Sequence, residues 1–268
     1  MFMDNPDNVL PLKVEKPAEA KTRVVVFGSF YRGYSILSHL LNDKELMKRI
    51  EIVGVATDDP SKPWVSGKKR VWQYPHSDEE ETMVERLAER NGIPVFKGKV
   101  KSPEFYRIYQ EQWKPDITYM GTFGQLLDKT IIETPKMGIF NCHPADGDKW
   151  PSCVGPDPFE QLFIAKKDYC AIALHATNDR FDDGDLACFS ERIPVPYDDM
   201  QGMQLGERVI HMHKLTSPFA GQLVDAHLRS MIDMPLSKDL AYYQNKFSHV
   251  DALAAEAAAP KAASGASR

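Results

Sequence analysis

Apolar residues along the chain fall into two alternating patterns: short β-branched runs, and longer stretches at helical spacing. Arg23-Val24-Val25-Val26-Phe27 stops at Gly28 and predicts a buried strand. Ile36, Leu37, Leu40 and Leu41 share one face of a helix predicted from Arg32 to Leu41. Glu51 to Thr57 reads as a second buried strand, completing a βαβ unit whose parallel strands need cover on both faces. Met83, Val84, Leu87 and Ala88 predict a helix over 81–91, closed by Gly92. Phe105, Ile108, Tyr109 and Trp113 mark another helix, and strands follow at Asp116–Met120 and Gly138–Phe140. A helix is predicted at Asp157–Lys166, strands at Ala171–His175 and Leu186–Val195, and one or two helices over Met203–Met231. The implied class is α/β, with a mainly parallel sheet, doubly wound in its first half, and helices on both faces.

The ends break the alternation. Residues 1–21 are rich in Pro, Asp, Asn, Lys and Glu without periodicity, and predict a flexible arm. Residues 22–232 form the folded domain, and 233–268 a C-terminal extension ending in the Ala-rich DALAAEAAAPKAASGASR. Removing residues 1–20 and 259–268 is expected to cost little stability or turnover.

A net charge of -5 leaves no excess of cations to neutralise phosphates, so no nucleic-acid partner is expected. Lys68-Lys69-Arg70 is read as a solvated loop. The apolar runs are far shorter than the roughly 20 residues of a membrane span, and no secretory signal opens the chain. Cys142, Cys153, Cys170 and Cys188 form no CxxC pair, which fits reduced thiols in the cytoplasm. Small-molecule substrates are the expected partners, and the sequence is silent on oligomeric state.

Three polar segments follow predicted strands. GSFYRG, Gly28 to Gly33, could hold an anion on the amides of a helix start, with Arg32 adding charge. It is neither GxGxxG nor a Walker loop, and a plain βα turn remains open. NCHPADGDKWP, residues 141–151, is read as a loop leaving the C-terminal end of the Gly138–Phe140 strand, where open α/β sheets bind ligands. HATNDRFDDGD, His175 to Asp185, carries Asp182, Asp183 and Asp185 in a turn. Asn141, His143 and one of these acids could make an acyl-transfer site. The amide donates to an oxyanion, the imidazole moves a proton, and the carboxylate orients the imidazole and favours its charged form. The bland alternative is a hairpin in which the acids cap backbone amides. A metal site from His143, His175 and Asp182 lacks a supporting spacing, and no metal is expected. His211 and His213 are read as structural or exposed.

Asn141-Cys-His143-Pro144, then Gly155-Pro156-Asp157-Pro158, then Asp182-Asp183-Gly184 resemble, in that order, the signature of the folate-dependent formyltransferases. The resemblance covers roughly residues 22–232 and implies a Rossmann-like catalytic domain there, with 10-formyltetrahydrofolate as co-substrate. It maps the catalytic residues onto Asn141, His143 and Asp182. Gly121-Thr-Phe-Gly-Gln-Leu-Leu is similar to the family's folate-side loop, which assigns Phe123, Gly124, Gln125, Leu126 and Leu127, with Asp182, to the folate. Gly28, Ser29 and Arg32 are the candidates for the acceptor.

The chain departs from the common pattern at Ala145-Asp-Gly-Asp-Lys-Trp150 and at Val154, where Arg is usual, so the acceptor side is expected to be remodelled. Glycinamide ribonucleotide and initiator methionyl-tRNA are disfavoured as acceptors. FGSFYRGYS and ATDDPSKPWVSGKKRVWQYPH make the chain most similar to the N-hydroxyornithine formyltransferases of hydroxamate (pyoverdine-type) siderophore biosynthesis. The alternatives are a nucleotide-linked amino-sugar N-formyltransferase, with Phe30, Tyr31 and Arg32 serving the nucleotide, and a non-catalytic nucleotide-binding module.

Overall fold

The computed structural model describes residues 20–62, 71–180 and 182–236; the predicted N-terminal arm and most of the C-terminal extension lie outside them. In chain order the elements are β1 (Thr22–Gly28), α1 (Phe30–Asn42), α2 (Leu46–Arg49), β2 (Ile50–Ala56), α3 (Asp78–Arg90) and β3 (Val95–Phe96). Then come α4 (Pro103–Arg107) with a π-helical continuation over Ile108–Trp113, β4 (Ile117–Gly121), α5 (Lys129–Ile132), β5 (Ile139–Ala145) and α6 (Pro158–Ile164). β6 (Tyr169–Ala176), β7 (Leu186–Phe189), β8 (Ile193–Pro194) and α7 (Leu205–Met231) complete it.

The strands lie in the order β3-β2-β1-β4-β5-β6-β7, with β8 paired to β6. β1 to β5 are mutually parallel, whereas β6 runs antiparallel to β5, β7 and β8. Alternation within β1 explains the cover on both faces. Val24 and Val26 face the core that holds Ile36, Leu37 and Leu40 of α1 and Leu223 of α7. Val25 and Phe27 face the other way, into a core with Phe105, Tyr109 and Trp113. The chain moves from β1 outward to β3 and then returns to the other side of β1 as β4. That reversal opens a crevice above the C-terminal ends of β1 and β4.

β5 corrects the sequence reading. Asn141 to Ala145 is strand, not loop, and its last residues are held from one side only. Pairing with β4 ends at Gly121↔Cys142, while pairing with β6 continues through His143↔Ala173 to Ala145↔Ala171. Pro144 therefore sits where β4 has already stopped, as on an edge strand, and its missing N–H costs that side no ladder bond.

Other boundaries differ for local reasons. α3 starts three residues before its predicted position because Ser77 and Glu80 form a reciprocal capping box. The strand predicted over Leu186–Val195 is two strands: Ser190 breaks it, accepting from the Ile172 N–H and donating to the Glu191 carbonyl through its hydroxyl. α7 is one helix despite Pro218.

Gly28 and Gly33 are glycines because β1 and α1 touch there. A Cβ on Gly28 would lie 2.6 Å from the Gly33 Cα, and one on Gly33 2.5 Å from the Gly28 carbonyl carbon. Gly28→Ala should cost about 1–3 kcal/mol, the scale of overpacking in a rigid contact. Urea denaturation of the variant checks this; an unchanged midpoint would mean that α1 can lift off β1 at no cost.

Candidate active site

Asn141 and His143, two residues apart on β5, point to the same side, while Cys142 between them is buried in the apolar core. Asn141 stands opposite His175 across the β5–β6 pair. Beyond β6 the chain turns back, held by the Ala176 N–H on the Asp185 carbonyl at 2.8 Å. Asp182 adopts a left-handed φ of 46° in this turn, and a Cβ on Gly184 would lie 1.8 Å from the Ala176 carbonyl oxygen. The turn geometry thus accounts for the glycine of Asp-x-Gly.

The Asp182 carboxylate ties three segments together. Its Oδ1 accepts from Asn141 Nδ2 at 3.2 Å and lies 3.4 Å from His143 Nδ1. Its Oδ2 accepts from the Gly155 N–H at 3.1 Å. Asp183 is spent elsewhere, on Asn178 and Arg180. His143 Nε2 donates to the Cys153 carbonyl at 2.8 Å, which leaves Nδ1, facing Asp182, as the position for a second proton. Burial pushes the proton affinity of His143 down; Asp182 opposes that shift and Arg32 adds to it. The expectation that the carboxylate favours the charged imidazole has the right sign, but desolvation outweighs it.

His175 forms the back of the site. Its Nδ1 donates to the Ala176 carbonyl at 2.9 Å, so its Nε2 accepts from Asn141 Nδ2 at 3.2 Å. Burial holds its pKa down at about 4, so the ring is neutral and remains an acceptor. Trp150 covers it, ring centroids 4.5 Å apart, and anchors its indole N–H on the Gly184 carbonyl at 2.8 Å. The sequence reading assigned Trp150 no task; in the fold, this residue of the departing Asp-Gly-Asp-Lys-Trp stretch packs onto the site.

A family profile described as formyl transferase matches residues 22–215. The chain belongs to the formyl transferase family. It is 30% identical over 170 residues to the methionyl-tRNA formyltransferase of Bacillus subtilis, covering 62% of this chain and 46% of that protein. It is 24% identical over 238 residues to that of Ehrlichia ruminantium, covering 85% of this chain and 69% of the relative. The chain spans about half the length of the first of these curated relatives. Among solved structures, phosphoribosylglycinamide formyltransferase from Anaplasma phagocytophilum superposes with a TM-score of 0.56 at 17% identity, over 82% of this chain and 92% of that one. A formyltetrahydrofolate deformylase from Pseudomonas syringae gives 0.56 at 15% identity, over 81% and 63%. At these identities the structures establish a shared fold.

In this member of the family the three residues border a cavity of about 460 Å³. Phe123, Gly124, Gln125, Leu126 and Leu127 line its other wall. Two of them are fixed by the protein itself. Gly124 donates its N–H to Asp58, and a Cβ there would meet that carboxylate at 2.7 Å. Gln125 bonds the Val100 N–H and the Gly98 carbonyl. Leu126 is 37% exposed and presents apolar surface.

The first βα turn departs from expectation. Gly28 and Ser29 lie beneath the cavity lining rather than in it. The Ser29 N–H is spent on the Gly121 carbonyl at 3.2 Å, and its hydroxyl contacts Thr57 and Asp58. The last carbonyl of β4 thus takes the amide that an anion would need. Arg32 does line the cavity, although it is buried. So does His213 of α7, which the sequence reading left as structural or exposed. Its spacing to Val209, Thr216 and Ala220 was the available signal, for all share one buried helix face.

Asp182→Asn removes the one charge that supports protonation of His143 while keeping the shape. The limb of the pH–rate profile governed by His143 should therefore move to lower pH, whether the ring acts as acid or base. A profile that stays in place at full rate would separate Asp182 from His143.

Proposed function

We propose that the protein transfers the formyl group of 10-formyltetrahydrofolate to the side-chain hydroxylamine nitrogen of N-hydroxyornithine, making the formyl-hydroxamate arm of a siderophore. The observation that carries formyl transfer is the Asp182 carboxylate, which gathers Asn141, His143 and Gly155 at one side of a cavity in a formyl transferase fold. The Phe123–Leu127 wall takes the folate in this reading.

The hydroxylamine nitrogen attacks the formyl carbon and the carbonyl electrons move onto oxygen. The intermediate then collapses as the carbon bond to N10 of the folate breaks. The attacking nitrogen gives up a proton and N10 gains one. His143, whose Nδ1 has room for a second proton opposite Asp182, carries that transfer. Asn141 serves the oxyanion. Both of its amide hydrogens already have acceptors, His175 and Asp182, so donation to the formyl oxygen means sharing or exchanging the Asp182 bond.

Base strength supports this choice of acceptor. Burial lowers the proton affinity of both His143 and His175. Neither ring can readily strip an alkylammonium whose pKa is about 10.4. A hydroxylamine is already neutral near pH 7 and keeps its lone pair for attack. Phe30, one of the two aromatic rings that a nucleotide acceptor would use, is fully buried against Trp72 and His213 and offers no face to a base.

His143→Ala should lower kcat by about 100-fold or more with little change in Tm. Near-wild-type turnover would remove His143 from the mechanism. Asn141→Asp places an acceptor and a negative charge where a donor is needed, and should cost about 2.7–4 kcal/mol of transition-state stabilisation. Loss of folate binding with turnover at saturation intact would make Asn141 a binding residue instead. The acceptor is tested by comparing kcat/KM for N-hydroxyornithine, ornithine, an amino-sugar nucleotide, phosphoribosylglycinamide and methionyl-tRNA. N-hydroxyornithine should exceed ornithine by orders of magnitude. A win by any other acceptor overturns the siderophore reading, and hydrolysis of the formyl-folate without transfer to any amine overturns formyl transfer.

A further inference from the structure

Arg32 is a buried cation that has no ion-pair partner among the described residues. It reaches the cavity from α1 with 3% of its surface exposed. Its Nη1 donates to the Thr122 hydroxyl at 3.2 Å and its Nη2 to the Thr216 hydroxyl at 3.5 Å. Its Nε has no hydrogen-bond partner, and among the described residues no carboxylate forms an ion pair with it. The Phe159 ring lies below it, 5.9 Å from the guanidinium carbon. The thiols of Cys142 and Cys170 are near enough to feel its field, but burial pushes both up to about 12, so neither supplies a negative charge. Burying an unpaired charge is costly, and desolvation draws the Arg32 pKa down to about 10.

A second unpartnered group shares the cavity. His213 is 7% exposed, stands edge-on to Phe30 and Phe159, and its buried Nδ1 has no hydrogen-bond partner. Burial and the charge of Arg32 keep this imidazole neutral, so it can offer one N–H without adding charge. A lone cation beside a neutral donor matches a singly charged, planar anion. A phosphate dianion would be left under-neutralised.

We propose that Arg32 and His213 form the subsite for the α-carboxylate of an amino-acid acceptor. The guanidinium supplies the charge and an unused Nε–H, and the imidazole supplies a second donor. The threonine hydroxyls of Thr122 and Thr216 hold the guanidinium in place. This deepens the reading of the site as an amino-acid formyltransferase and adds the group that selects its acceptor: a carboxylate, bound in the cavity that His143 and Asn141 border. An acceptor lacking the carboxylate would leave the Arg32 charge buried and unpaired, which is how such sites discriminate.

The test has two arms, both on the full chain with tetrahydrofolate present. In the first, calorimetry compares L-norvaline, which has the carboxylate but no side-chain amine, with n-butylamine, which has neither carboxylate nor α-centre. Norvaline should bind and butylamine should not over the same concentration range. Arg32→Gln and His213→Phe should each weaken norvaline by about tenfold or more, the scale of a hydrogen bond to a charged group. The phenylalanine keeps the ring contacts with Phe30 and Phe159, so this variant serves if Arg32→Gln does not fold. In the second arm, kcat/KM for N-hydroxyornithine is divided by that for its decarboxylated analogue, N-hydroxy-1,4-diaminobutane. The ratio should be large in the wild type and collapse in both variants. Equal binding of norvaline and butylamine, or norvaline binding indifferent to both substitutions, overturns the subsite. Equal use of the two hydroxylamines also overturns it, while formyl transfer to a hydroxylamine stands. If neither hydroxylamine is formylated but norvaline binding depends on Arg32 and His213, the subsite stands and the hydroxylamine acceptor falls.

Discussion

β5 outruns β4, and the organisation of the site depends on that overhang. Up to Cys142 the strand is a member of a parallel sheet; beyond it, β6 alone holds the backbone. Antiparallel pairing there sets which residues face each other, and a slip of one residue would carry every side chain to the opposite face. In the register adopted, Asn141 and His143 face the cavity and Cys142 the core, and Asn141 meets His175. The same β6 ends in the turn that returns Asp182 to both of them. A parallel neighbour could not do this, since its return connection would need a crossover on a face of the sheet.

Electrostatics then sorts the buried polar groups into settled and unsettled ones. Asp182 is settled, accepting from Asn141 and Gly155 and standing against His143. His175 is settled as a neutral ring between Ala176 and Asn141. His143 sits between two opposing influences, burial against the charged form and Asp182 for it, and burial is the stronger. Arg32 and His213 retain unmatched donors. A native interior seldom leaves such groups without purpose, because each costs desolvation that nothing inside the protein returns.

The shared and the particular separate along the chain. The fold is held in common with a phosphoribosylglycinamide formyltransferase and a formyltetrahydrofolate deformylase at under 20% identity. Fold alone does not choose among such reactions. At the rim and floor of the cavity this chain places Trp150 over His175, Val154 beside Gly155, and Arg32 with His213.

Hydrophobic periodicity by itself determined the α/β class, the first βαβ unit, helices on both faces and most element positions, because burial on a sheet or a helix stripe imposes periods that no other structure shares. The resemblance of the three polar motifs to the formyltransferase signature pointed to Asn141, His143 and Asp182, and the fold brings these three side chains together. Tertiary structure alone decided the rest. The extension of β5 through Pro144 was hidden because polar residues and a proline erase the alternation, and only the end of β4 makes that proline tolerable. Gly28 and Ser29 carry no mark that distinguishes an anion loop from a tight strand–helix contact; a carbonyl from β4, remote in sequence, takes the amide. His213 is about 180 residues from Arg32, and their common lack of partners exists only when α7 lies across α1. Local pattern reports which groups a segment buries; which distant groups they then meet is a property of packing, and that is where the chemistry of this cavity resides.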